Sequence, residues 1–182
     1  MQHLLKPIFR QSAVLNFRQS LRFYAAIGDA IPATNVFEGS PGNDVNLAKE
    51  TGKGKSLLVG VPGAFSPGCS QKHIPGYVKN ADEFKNKGIN NIFVIAVNDP
   101  FVTKAWGEGL SSNGDEVRFL ADSTGEFSRE LGLLFDATKV FGNERSKRYA
   151  LLIEDGKIKE AFIEPDNTSV DVSDATKVLS SI

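Results

Sequence analysis

The sequence holds one cysteine, Cys69, among 182 residues. With no second thiol in the chain there is no internal disulfide, no Cys-x-x-Cys redox pair and no zinc ribbon, and a disulfide-stapled secreted scaffold is excluded. Long apolar runs are missing as well. None approaches the roughly 20 residues that a bilayer-spanning helix needs, so membrane insertion is not expected. Neither sign of charge dominates: 21 Lys and Arg stand against 22 Asp and Glu. A formal net charge of −1 gives no electrostatic footprint for nucleic acid or an acidic membrane surface. One local lack is more telling. No Asp or Glu occurs before Asp29, while Lys6, Arg10, Arg18 and Arg22 are interleaved with Leu4, Leu5, Ile8, Val14, Leu15, Phe17 and Leu21. Arginine-bearing, acid-free and amphipathic is the profile of a mitochondrial targeting segment.

Arg22-Phe23-Tyr24 followed by Ala25-Ala26 is similar to a matrix-protease site with arginine three residues before the cut. Residues 1–24 are therefore expected to be a cleaved, unstructured targeting segment and the address to be the mitochondrial matrix. Residues 25–182 are expected to form one domain. At 41% hydrophobic and 24% charged the chain is long enough to bury a real core.

The pattern that organises this domain begins with Ser56-Leu57-Leu58-Val59-Gly60-Val61, a short apolar run that reads as a buried strand. Pro62-Gly63-Ala64-Phe65-Ser66-Pro67-Gly68-Cys69-Ser70 follows, and then Ile74, Tyr77, Val78, Ala81 and Phe84 at helical spacing. Cys69 thus falls where a strand ends, turns and enters a helix. There, unpaired backbone N–H groups and the positive end of the helix dipole stabilise an anion, here a thiolate. Position alone leaves an inert buried cysteine equally open. His73, four residues on, shares a helix face with Cys69 and invites a Cys–His hydrolase reading. No third member of a triad stands at a predictive position, and a histidine on the helix surface or bonded to a loop is the simpler reading.

The rest of the chain alternates strands and helices. Ala33–Glu38 and Asp44–Leu47 read as two short edge strands around the Gly39-Ser40-Pro41-Gly42 turn. Asn91–Val97 reads as a second continuous apolar strand, Phe101–Leu110 as a helix carrying Trp106 in a packing role, and Val117–Ala121 as a third strand. Glu126–Leu134 follows as a helix with Phe127, Leu131 and Leu134 on one face. Arg148–Glu154 and Lys157–Ile163 flank Asp155-Gly156, the spacing of a two-residue hairpin. Ser173 reads as the N-cap of a last helix over Asp174–Leu179. Thr51–Ser56 is not a phosphate loop, because Lys49 stands where its first glycine belongs and the segment precedes a strand. Asp122-Ser123-Thr124-Gly125 lacks the acidic alternation of a calcium loop. The Asn167-Thr168-Ser169 sequon has no use in a mitochondrial protein. The sum is an α/β domain with a mixed sheet covered by helices on both faces.

Pro62, Ser66 and Cys69 form Pro-x-x-x-Ser-x-x-Cys, which resembles the peroxiredoxin active-site motif. The longer run with His73, Pro75 and Gly76 is similar to the atypical peroxiredoxin-5 and fungal peroxisomal-membrane-protein-20 subgroup. The resemblance continues through Val97–Trp106, Phe141–Tyr149 and Ile163–Asp166. It implies a thioredoxin-like fold and a thiol-dependent peroxidase acting on hydrogen peroxide and alkyl hydroperoxides, with neither metal nor organic cofactor. By the same match Cys69 is the peroxidatic nucleophile, and the Gly68 and Cys69 N–H groups face the peroxide. Ser66 supplies a hydroxyl able to donate and accept, Pro62 shields the sulfur from water, and Arg148 holds the thiolate and orients the oxygens. Two departures stand out. Serine replaces the usual threonine at position 66, which frees χ1. Val172 occupies the place of the second cysteine with which such enzymes resolve internally. The resemblance therefore implies a one-cysteine cycle completed by an outside thiol, either glutathione with glutaredoxin or thioredoxin, in a homodimer. A holdase chaperone or redox sensor on the same fold, and thiol transfer or hydrolysis at Cys69, stay open beside it.

Overall fold

The computed structural model describes residues 25–110 and 116–182; the targeting segment expected at 1–24 lies outside the described residues. Two neighbouring apolar runs set the centre of the sheet. Strand β3 (Lys55–Val61) lies parallel to β4 (Ile89–Ala96), which in turn lies parallel to β5 (Val117–Ala121). Side chains alternate across the two faces, as the unbroken apolar runs require of a doubly covered strand. Leu57, Val59 and Val61 enter a cluster with Tyr77, Phe84 and Trp106. Leu58, one residue out of phase, packs on the opposite face with Phe93, Ile95 and Phe127. On its other edge β3 pairs antiparallel with β8 (Tyr149–Glu154), and β8 with β9 (Lys157–Ile163). Asp155 and Gly156 make the expected two-residue turn between them with φ of +50° and +75°, a geometry that glycine adopts without strain.

The chain starts its sheet with β1 (Asn35–Glu38) and β2 (Asp44–Asn46), followed by the helical turn α1 (Leu47–Glu50). Only β2 is an edge. β1 is enclosed because β5 pairs along its other side, giving the order β2-β1-β5-β4-β3-β8-β9. Arg118 of β5 fixes that pairing: its guanidinium takes both carboxylate oxygens of Glu38, at 3.0 and 2.8 Å, and also reaches Glu50 at 2.6 Å. This is the thioredoxin-like mixed sheet the sequence implies.

Three helices differ from the pattern read in the sequence. The run after Cys69 is not one helix but a π-helical turn (Cys69–His73), α2 (Ile74–Lys79) and α3 (Ala81–Asn86). The break falls at Asn80, whose side-chain amide donates to the Gly76 carbonyl at 2.9 Å and competes with the backbone ladder. Helix α4 (Pro100–Leu110) is as expected. Helix α5 (Glu126–Glu130) stops well short of Leu134 because Gly132 turns left-handed, with φ of +66°. Leu134 instead opens β6 (Leu134–Asp136), which pairs with β7 (Glu144–Ser146) around the turn α6 (Thr138–Phe141). Helix α7 (Ala175–Ser181) is capped by Asp174, whose carboxylate accepts from Thr176 N–H, and not by Ser173. Asp122, in the loop rejected as a calcium site, caps α5 through the Phe127 and Ser128 N–H groups. Among the described residues no helix is long and apolar enough to cross a membrane.

Candidate active site

The three parallel strands deliver their carboxyl ends to one edge of the sheet, where open α/β folds bind their ligands. From β3 the chain enters the loop Pro62–Ser66. Pro62 is buried, and the loop is held to the end of β4 by Asn98, whose Oδ1 accepts from Ala64 N–H at 3.1 Å. Phe65 has φ of +61°, unusual for a side chain of that size, and its ring is 61% exposed. The Ser66 hydroxyl donates to the Gly63 carbonyl at 2.9 Å, and the Ser66 carbonyl accepts from Ser70 N–H at 2.9 Å, so Ser66 starts the helical path. Its proton is thereby committed within the loop, and what it offers outward is an acceptor. Gly68 already has helical angles (φ −62°, ψ −39°), which makes its N–H and that of Cys69 first-turn donors with no acceptor along the helix.

Cys69 is fully buried in this turn. Arg148 comes to it from the short connection between β7 and β8. It is 3% exposed, and its Nη1 donates toward Cys69 Sγ at 3.5 Å. Its burial is not that of an arginine in a surface ion pair. A Cβ on Gly68 would lie 3.1 Å from Arg148 Nη2, so the guanidinium packs against the glycine itself. The structure thus brings Cys69, Gly68, Arg148, Ser66 and Pro62 to one place. The last four line a cavity of about 480 Å³ whose remaining wall is largely apolar: Phe135, Ala137, Val140 and Phe141 from the β6–α6 segment.

His73 is neither on the helix surface nor paired with the sulfur. It is fully buried, and its Nε2 lies 3.0 Å from the Ser173 carbonyl, the loop-bonding alternative. Burial first, and then the charge of Arg148, push its pKa from 6.5 down to about 3. Trp106 packs edge-on against Phe119 and adds an unforeseen bond, its Nε1 donating to Ser70 Oγ at 2.9 Å. The cavity wall was also missed, because it depends on the early end of α5. Gly132 was the available signal. Arg145 covers Phe141 in that wall, 4.8 Å from the ring centre, and donates to the Val97 carbonyl at 2.7 Å.

A buried thiol at a strand-to-helix turn, faced by a buried guanidinium and first-turn N–H groups, defines a thiol oxidoreductase of the thioredoxin-like class. The profile of the Redoxin family matches residues 26–179. Peroxisomal membrane associated protein 20 of Schizosaccharomyces pombe is 45% identical over 158 residues, spanning 86% of this chain and 99% of that protein. Peroxiredoxin 5 from Alvinella pompejana superposes with a TM-score of 0.76 at 41% identity, covering 86% of this chain and 96% of that one. Reduced Prx3 from Vibrio vulnificus in complex with hydrogen peroxide gives 0.80 at 36% identity, covering 86% and 94%. The chain belongs to the redoxin family and is a peroxiredoxin, a thiol-dependent peroxidase.

Proposed function

We propose that this chain is a one-cysteine peroxiredoxin that reduces hydrogen peroxide and alkyl hydroperoxides at Cys69 and is restored by an external thiol. The observation that carries the reading is the Arg148–Cys69 contact at the base of an apolar-walled cavity. In the reaction, the thiolate attacks one peroxide oxygen and the O–O bond breaks. The second oxygen leaves as hydroxide or alkoxide and takes up a proton. Arg148 and the Gly68 and Cys69 N–H groups stabilise the charge moving between sulfur and oxygen. The Ser66 oxygen accepts from the incoming hydroperoxide O–H, and Pro62 excludes water behind it. Phe135, Val140 and Phe141 offer apolar surface to the organic part of an alkyl hydroperoxide.

The product is a Cys69 sulfenic acid. With no second cysteine in the chain, and with Val172 where the resemblance puts the internal resolver, the capturing sulfur comes from another molecule. The acid-free N-terminal composition supports a matrix address, where glutathione is the abundant small thiol, so glutathione with glutaredoxin is the proposed reductant. A homodimer is proposed with it. Peroxide consumption by the purified chain, with glutathione and glutaredoxin in one arm and thioredoxin in the other, tests the reading. Turnover that is faster in the first arm, with one glutathione mass on Cys69 after a single equivalent of peroxide, is the expected result. Turnover only with thioredoxin overturns the glutathione route. Absence of turnover in both arms favours the chaperone or sensor reading.

A further inference from the structure

We propose that Tyr77 and Ser173 are positioning residues for the second half of the cycle: they hold the nucleophile's helix shut and so set how readily oxidised Cys69 meets an external thiol. The inference rests on the external-thiol reading above. Its basis is a hydrogen-bond hub built on one backbone carbonyl. Ser173 O accepts from Tyr77 Oη at 2.6 Å and lies 3.0 Å from His73 Nε2. A carbonyl oxygen can only accept, so His73 carries its proton on Nε2. On the other side, Ser173 N–H and its hydroxyl both donate to Glu164 Oε1, at 2.9 and 2.8 Å, and Asp171 N–H joins them at 2.7 Å. Glu164 N–H then donates to the Arg148 carbonyl at 3.0 Å. Tyr77, His73 and Ser173 are fully buried and Glu164 is nearly so. Helices α2 and α7 touch beside the hub, since a Cβ on Gly76 would lie 3.0 Å from that of Ala175. The segment between β9 and α7 is thus tied both to the helix of Cys69 and to the backbone of Arg148.

The two halves of the cycle make different demands on this hub. A peroxide is small and reaches the sulfur through the cavity while Cys69 stays buried. A tripeptide or protein thiol must approach the sulfenic sulfur in line: its sulfur forms the S–S bond, and the sulfenic oxygen departs as water. The helix start has to open for that step. Its weak point is the π-helical turn, where Ile74 N–H reaches back to the Cys69 carbonyl. His73 is the last residue of this turn and Tyr77 lies four residues further on in α2, and both are anchored on Ser173. While the turn is closed a second peroxide competes. The sulfenic sulfur takes one more oxygen, becoming sulfinic acid, and the peroxide leaves as alcohol or water. The hub therefore sets the partition between thiol capture and sulfination.

Tyr77→Phe removes one bond from the hub and keeps the ring, which stacks on Phe84 at 5.6 Å and meets His73 edge-on at 5.5 Å. In the full chain, trapping of the sulfenic acid with dimedone should show its formation at the wild-type rate. Capture by glutathione should rise about three- to tenfold, the effect of one buried hydrogen bond, and the sulfinic fraction under excess peroxide should fall to match. Ser173→Ala removes only the hydroxyl bond to Glu164 and should act in the same direction by less. Phe127→Leu, in the core on the opposite sheet face, loosens the protein without touching the hub and should leave the partition where it is. A wild-type partition in Tyr77→Phe overturns the proposal, as does an equal shift in Phe127→Leu. If the wild-type chain forms no sulfenic acid, the peroxidase reading fails and the proposal with it. If sulfenic acid forms and glutathione captures it but Tyr77→Phe changes nothing, the hub alone fails.

Discussion

Arg148 Nη1 stands 3.5 Å from Cys69 Sγ although 79 residues separate them in the chain. The contact depends on the antiparallel pairing of β8 with β3, which sets the entry of one strand beside the exit of the other. A cation buried against the reacting sulfur favours charge at the moment it moves to oxygen. Arg148→Gln keeps the shape and a donor but loses the charge. The second-order rate with hydrogen peroxide should fall about a hundred- to a thousandfold, with far-UV circular dichroism unchanged. Stopped-flow tryptophan fluorescence reads this through Trp106. A rate within a few-fold of wild type would take the arginine out of the reaction.

Gly68 tests the same geometry from the other side. Alanine there places a methyl 3.1 Å from Arg148 Nη2, closer than such contacts ordinarily sit, so the guanidinium must move by a few tenths of an ångström. The Gly68 backbone angles suit alanine, which removes backbone strain as an explanation. Gly68→Ala should lower the peroxide rate about tenfold while thermal stability stays near wild type. An unaffected rate would mean that the guanidinium position is not critical to that tolerance.

The parts of this site that lie close together in the chain were legible. The apolar run of β3, the turn and the Pro62–Ser66–Cys69 spacing are local, and each residue type has one physical reason to be there. Arg148 was legible only through resemblance, because nothing in its own neighbours distinguishes a buried arginine from a surface one. The apolar cavity wall was not read, since Leu134 fits the helical face of Phe127 and Leu131 as well as it fits a strand. Gly132, which decides between them, was passed over. The Ser173 hub left almost no trace. Its acceptor is a backbone carbonyl, which every residue has, and the hydroxyl that resembled an N-cap is spent on Glu164. Only His73 and Tyr77, four apart and so on one helix face, hinted that something lay opposite.

Subunit association can be located by mutation. Phe65, on the Pro62–Ser66 loop, and Phe101, in the first turn of α4, are 61% and 63% exposed, and the Ala64–Asn98 hydrogen bond joins their two segments. Phe65 holds its ring outward at the cost of a left-handed backbone, which singles it out from casual surface. The wild-type chain should sediment as a dimer, and Phe101→Asp should shift it toward monomer. A dimer that survives the substitution places the interface elsewhere, and a monomeric wild type removes the dimer.

The N-terminal composition makes a prediction about the protein in cells. Intact-mass analysis of the endogenous protein should find a terminus near Ala25 in a mitochondrial fraction, the Met1–Tyr24 segment having been removed. An intact Met1 in a peroxisomal fraction would instead align this chain with the name of its Schizosaccharomyces pombe relative.

Acid should destabilise the fold through His73, and the sign follows from which state binds the proton. Burial and the Arg148 charge hold the folded pKa at about 3 against an ordinary 6.5, so between these values the unfolded chain is protonated at this site and the folded one is not. The contribution of a neutral His73 is complete above pH 6.5 and is lost as pH falls from 6.5 toward 3, by about 1.4 kcal/mol per unit. At pH 5 this amounts to about 2 kcal/mol. Glu164 acts later. Burial opposes its ionisation, but the Ser173 and Asp171 donors outweigh that and keep its pKa below the usual carboxylate value, so its contribution is lost only as pH drops below about 4.5. The window between pH 6.5 and 5 therefore belongs to the histidine. Urea unfolding at pH 7.5 and at pH 5 should show the wild type losing about 2 kcal/mol more than His73→Gln, whose amide can still donate to the Ser173 carbonyl but does not titrate. Equal losses in the two proteins would mean that His73 is protonated in the folded state well above pH 5, and that the Ser173 hub tolerates a second positive charge beside Arg148.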